Sequence, residues 1–214
     1  MEKILSKLSI YEFFSSFISG LCMVSYSYLM IIILEKKYIS FFVDNNIIFV
    51  TALSYLLATV IHEFASILER KILNRKQRFI KISLLPKKSD DIHMDEEELQ
   101  LLKQKIKINH NIDLNDDNYY TVYKLCKNNS SVTDSADKRN FHAVAIFSKN
   151  MSFYFLLNVI TLIICLTIGR FDNLQRGLVC VFISSILCVI LYIRYINFTK
   201  RKYINIFKQY IYSD

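Results

Sequence analysis

Four long apolar blocks, almost without punctuation, constrain this chain more than any other feature. The first is YEFFSSFISGLCMVSYSYLMIIIL, Tyr11 to Leu34, and the second runs from about Ile47 to Leu68. The third is MSFYFLLNVITLIICLTIG, Met151 to Gly169, and the fourth is GLVCVFISSILCVILYIRYIN, Gly177 to Asn197. Each has about the 20 residues that a helix needs to cross ~30 Å of hydrocarbon. A segment in lipid must satisfy its own backbone polar groups, which selects helix over an isolated strand. Only three Gly and one Pro interrupt the 214 residues, so long helices are favoured over strands and turns. The first block exceeds a signal-peptide core and lacks a small-residue cleavage site, so it reads as a retained span.

Lys and Arg placement orients these spans. Arg70, Lys71, Arg75, Lys76, Arg78 and Lys81 follow the second, and Lys200, Arg201, Lys202 and Lys208 follow the fourth. Lys3 and Lys7 precede the first, whereas the opposite side holds only Lys36, Lys37, Arg170 and Arg176. Both termini and the long central segment are therefore expected in the cytoplasm. The net charge of +8 is then mainly an orientation and lipid-headgroup signal. No specific nucleic-acid binding is expected. The resulting fold class is an all-α membrane protein. Four transmembrane helices form two hairpins, with a mostly helical cytoplasmic insertion between helices 2 and 3. Residues 1–68 hold the first hairpin, 69–150 the cytoplasmic module, 151–197 the second hairpin and 198–214 a basic tail.

The central segment has blocky charge, basic from Glu69 to Lys88 and acidic from Ser89 to Asp117. The blocks pair with each other or form a solvated face. In RFIKISLL, Ile80, Ile82 and Leu84 alternate with polar residues, a weak strand signal whose rival is a continued helix. DEEELQLLKQKIKI predicts a helix, with acids in its first turn and lysines in its last. DDNYYTVYKLC predicts another, capped by Asp116 or Asp117. Asp134 is placed to cap a helix that passes Phe141, Val144 and Phe147 and enters the third span.

His62 and Glu63 stand side by side in SYLLATVIHEFASILER. A zinc-protease helix needs a second His four residues on, beside the first on one face. Ser66 occupies that position, so the motif fails. An intramembrane hydrolase using Ser66 and His62 lacks a glycine-flanked nucleophile turn. Cys22, Cys126, Cys165, Cys180 and Cys188 form no C-x-x-C pair, and they fit neither a zinc site nor a disulfide framework. No metal, no cofactor and no enzymatic activity are expected. His62 lies ~22 Å along a helix begun near Ile47, close to the cytoplasmic boundary, where an ionisable group costs less than at the centre.

Polar residues nevertheless recur at helical spacing. Tyr55, Thr59, His62, Ser66 and Glu69 share one face of the second span. Glu12, Ser16, Ser19 and Gly20 do so on the first, Asn158, Thr161 and Cys165 on the third, and Gly177, Cys180, Ser184 and Cys188 on the fourth. Such stripes serve close helix packing by default. Their alternative use is to line a water-filled path within a subunit or at an oligomer axis. The basic positions Arg70, Lys71, Arg75, Lys138 and Arg139 are candidate contacts for an anion or a partner, with orientation as their other use.

The segments YEFFSSFISG, SYLLATVIHEFASILER and DKRNFHAVAIFSKN together resemble those of small multi-pass membrane proteins of bacterial anti-phage defence systems. Ser19-Gly20 stands where many such proteins have Pro-Gly. The resemblance implies a homo-oligomeric effector or sensor in a bacterial inner (plasma) membrane. It would perturb the bilayer when signalled through its cytoplasmic module by a small nucleotide or a partner protein. The alternative is a non-conducting anchor that assembles a cytosolic partner.

Overall fold

The computed structural model describes residues 10–35, 47–71, 80, 92–115, 118–129, 136–169 and 173–213, with side chains from 16–34, 49–69, 80, 92–115, 118–128, 140–169 and 173–213. Among these residues the chain forms six long helices and no strand. They are α1 (Ile10–Glu35), α2 (Ile47–Lys71), α3 (Glu96–His110), α4 (Tyr119–Asn129), α5 (Ala136–Thr167) and α6 (Leu174–Tyr212). Helices α1, α2, α5 and α6 are long and apolar enough to cross a membrane. They coincide with the four apolar blocks. Two extend well past them: α5 begins 15 residues before Met151, and α6 continues 15 residues beyond Asn197.

The extension of α6 has a plain cause. No Gly or Pro follows Gly177, and Tyr203, Phe207 and Tyr210 recur at helical spacing and are all buried. The presumed basic tail is therefore a packed amphipathic helix. Helix α3 is set by local chemistry. Asp95 and Glu98 form a capping box, and the Asp95 N–H donates to the Glu98 carboxylate at 3.4 Å. Glu96 to Glu98 complement its positive end and Lys107 its negative end. It stops at Asn111, whose φ of 53° is left-handed and whose N–H donates to Lys107 O at 3.0 Å. Before α4, Asn118 takes the place foreseen for an aspartate: its carbonyl accepts from Val122 N–H at 2.9 Å. Asp116, Asp117 and Asp134 lie outside the described residues. Of RFIKISLL only Ile80 is described, and it is helical and fully buried.

The chain divides into two compact units. The first comprises Met1–Ile67 and Ala143–Tyr195, the second Leu68–His142 and Ile196–Asp214. In the first unit one cluster joins Met23, Ile61, Met151, Tyr154 and Phe155, and a smaller one joins Met30, Leu162 and Cys180. Many other large apolar side chains face outward, among them Leu56 at 62% and Phe182 at 66% exposure. An aqueous surface of that kind would be an aggregation liability, whereas lipid solvates it.

The second unit packs α3, α4 and the end of α6 around Leu102, Ile106, Val122, Cys126 and Phe207, all fully buried. Tyr123 stands edge-on to Tyr203 at 5.2 Å and to Phe207 at 6.2 Å between ring centroids, a favoured geometry for aromatic pairs. Lys208 pairs with Glu98 at 2.7 Å. Lys105 donates to the carbonyls of Ile211 (3.1 Å) and Ser213, closing the end of α6.

Candidate functional site

The polar face of α2 meets α5. His62 Nδ1 lies 3.2 Å from Asn150 Oδ1. An amide oxygen only accepts, so the imidazole donates from Nδ1. One turn further on, Lys149 Nζ donates to Ser66 Oγ at 2.8 Å. Lys149 and Asn150 are adjacent on α5, as His62 and Ser66 are one turn apart on α2. Two side-chain bonds therefore zip the two helices together at one level. Asn150 is fully buried, and its Nδ2 has no hydrogen-bond partner among the described residues.

A Ser–Lys contact invites a nucleophilic reading, because lysine can serve as base to a serine. The surroundings do not complete it. Ser66 sits inside α2, five residues before its end. The N–H groups of Ser66 and Ile67 belong to the helix ladder and cannot form an oxyanion hole. The Ser66 hydroxyl here accepts a proton-bearing ammonium, which joins two helices. Among the described residues no group of three or more His, Cys, Asp and Glu is arranged to hold a metal ion.

The other spans are tied by hydroxyl pairs. Tyr26 OH and Ser184 Oγ are 2.7 Å apart, joining α1 to α6. Tyr154 OH lies 2.5 Å from Ser27 Oγ and donates to Met23 O at 2.8 Å, joining α5 to α1. Ser152 Oγ donates to Cys188 O at 3.1 Å, and Cys188 Sγ lies 3.4 Å from Ser152 O, joining α5 to α6. Helices α1 and α2 approach closely at Gly20. A Cβ built there would stand 1.9 Å from Ser54 O. No side chain of any size fits between α1 and α2 at that level, which is the use of glycine at such crossings.

The stripes foreseen from spacing are therefore divided. Ser184 is fully buried, as are Ser19 on α1 and Ser54 on α2. Gly177, Cys180 and Ser184 form one buried line on α6. On α2 the packed line is Ser54, Ala58, Ile61 and Ala65, one position before the expected one. Tyr55, Thr59 and Glu63 are exposed, and the Thr59 hydroxyl donates to Tyr55 O in its own helix at 2.8 Å. On α5, Thr161 is exposed and Asn158 donates to Tyr154 O at 3.1 Å. Glu12, Arg70, Lys71, Lys138 and Arg139 lie in helices, with side chains outside the described set; Arg75 lies outside it altogether.

Tyr26, Tyr154, Lys149 and Asn150 were not legible as members of the site. The tyrosines read as apolar bulk, although a buried phenol needs a partner. The one available signal was position: Lys149 and Asn150 are the last polar pair before the third apolar block.

Comparison of the chain with protein-family models, with curated proteins and with solved structures finds no match.

Proposed function

We infer that the chain is a homo-oligomeric inner-membrane effector or sensor. It perturbs the bilayer when its cytoplasmic module is signalled, in keeping with the resemblance to anti-phage defence proteins. The observation that carries this reading is the continuity of α5 and α6. Each is an apolar, membrane-length helix, and each runs without a break from the first unit into the second. A displacement of the helical module would thus act on two spans directly, without a flexible linker to absorb it. In this reading the four spans form two hairpins, both termini are cytoplasmic by the positive-inside rule, and α3 and α4 form the inserted module. The signal is a small nucleotide or a partner protein. No reaction is catalysed.

A second reading has its own support. The His62–Asn150 and Lys149–Ser66 contacts engage the polar face of α2 within one chain. That use is packing, and it favours a non-conducting anchor for a cytosolic partner. A potential-sensitive dye in cells expressing the protein separates the two. The effector depolarises the membrane on triggering. A membrane potential unchanged under every trigger, with the protein present and membrane-inserted, favours the anchor.

A further inference from the structure

The second unit carries a convergence of basic side chains that helix packing does not require. Lys202 Nζ on α6 lies 3.0 Å from His142 Nδ1 on α5. An ammonium has no acceptor site, so the imidazole accepts at Nδ1 and carries its proton on Nε2. Both side chains are half-buried. One turn before Lys202, Phe198 meets Phe141 at 6.1 Å between ring centroids. The guanidinium of Arg201 stands 5.7 Å from the Phe198 ring centroid. Lys200 precedes it, only 7% exposed. Three cations in succession thus follow the membrane-length apolar stretch of α6, with Arg201 over an aromatic ring. Lys202 is five residues beyond Asn197, ~7 Å along a helix, which is the depth of the headgroup layer.

We propose that His142 and Lys202, with Arg201 at the rim, form a binding site for a phosphoryl anion. Lys202 has N–H protons beyond the one it gives to Nδ1, and His142 donates from Nε2, so the pair offers donors from two helices within reach of one phosphate. The anion would accept from Lys202 and from His142 together, and so add a link between α5 and α6. Basic pockets between helices at the membrane edge commonly take lipid headgroups. A free phosphate ester would present the same oxygens. Phosphate binding by the solubilised chain does not depend on the effector reading, whereas the lipid arm depends only on membrane insertion.

The test uses the full chain, purified in detergent and reconstituted into nanodiscs of phosphatidylcholine with or without phosphatidylglycerol. Native mass spectrometry counts the phosphatidylglycerol retained on release. The wild type should retain it, and Lys202→Gln and His142→Gln should each lower retention at least fivefold. Lys202→Arg should stay within twofold of wild type. Lys103→Gln, which removes one exposed charge from α3, should have no effect. In detergent, inorganic phosphate should move the side-chain 15N signal of labelled His142, and this readout needs no variant to fold. Displacement of retained lipid by millimolar phosphate would assign the site to small phosphate esters; lipid that resists displacement assigns it to headgroups. The site is refuted if His142→Gln and Lys202→Gln retain lipid like wild type and phosphate leaves the His142 signal unmoved. Equal loss in Lys103→Gln would refute it as well, since net charge alone would then explain retention.

Discussion

The two units bury different mixtures of residue. In the first, Ser19, Gly20, Ser54, Ala58, Ala65 and Ser184 are buried beside Met23, Tyr154 and Phe155, while many leucines and isoleucines face outward. In the second, the interior holds Ile106, Val122, Tyr123, Tyr203 and Phe207, while Glu96, Glu97, Lys103 and Lys107 face outward. The second unit follows the rule for water, in which burying apolar area is the main driving force. The first cannot use that force, because lipid is as apolar as leucine. Its helices are held instead by close approach and by hydrogen bonds between helices. The contrast is what two solvents, lipid and water, would impose on one chain, and α5 and α6 run through both units.

Substitutions should respect this division. The largest effect is expected at Gly20. Even Gly20→Ala puts a carbon against Ser54 O, and overpacking of this kind costs about 1–3 kcal/mol. Gly20→Leu should abolish the folded first unit, as read by helix-helix cross-linking and by accumulation in membranes. In the second unit, Phe207→Ala removes a fully buried ring and should cost about 3–5 kcal/mol. Amide exchange should quicken in α3 and α4 and stay unchanged in the outward faces of the first unit. A comparable loss from Phe182→Ala, which is outward, would break the comparison.

Cys126 gives a pH signature of the water-type core. Burial pushes its thiol up to about 12 from an ordinary value of 9.0, against a smaller lowering from a backbone hydrogen bond. A thiol with a raised value favours the folded state only while the unfolded thiol is also protonated. The contribution is therefore full below pH 9 and is lost as pH rises from about 9 to about 12. Thermal unfolding of the second unit should shift downward across that window, and Cys126→Ala should flatten the shift. Below pH 9, alkylation of Cys126 should require unfolding.

Smaller effects sharpen the contrast further. Tyr26→Phe and Ser184→Ala each remove one bond between spans and should cost about 0.6 kcal/mol, at most about 1.7, with most of it shared in the double variant. Lys208→Gln breaks a part-exposed pair with Glu98 and should cost about 0.2–1 kcal/mol, vanishing in high salt.

The spans were legible because length and apolarity alone define them, whatever they pack against. Helix α3 was legible because its end signals, the acids of its first turn and the lysines of its last, are local. The packing faces were legible only in part. Spacing identified the α6 line through Cys180 and Ser184, since small residues occur there on one face alone. On α2, small and hydroxylated residues lie on two neighbouring faces, and spacing could not choose between Ser54–Ala58–Ala65 and Tyr55–Thr59–Ser66. The choice is made by Gly20, which admits the Ser54 backbone. That contact spans 34 positions, and no local pattern contains it. The partners of His62 and Ser66 are hidden for the same reason, lying 88 and 83 positions away.

The central claim is that His62 and Ser66 of α2 close against α5 of the same chain. A variant lacking the native cysteines and carrying Ser66→Cys with Lys149→Cys tests it most directly. Treated in membranes with a short bifunctional thiol reagent, it should give an internally bridged product that migrates as a monomer on a denaturing gel. Bridging found only between chains, or rapid modification of Ser66→Cys by a charged aqueous reagent without any internal bridge, would contradict the claim.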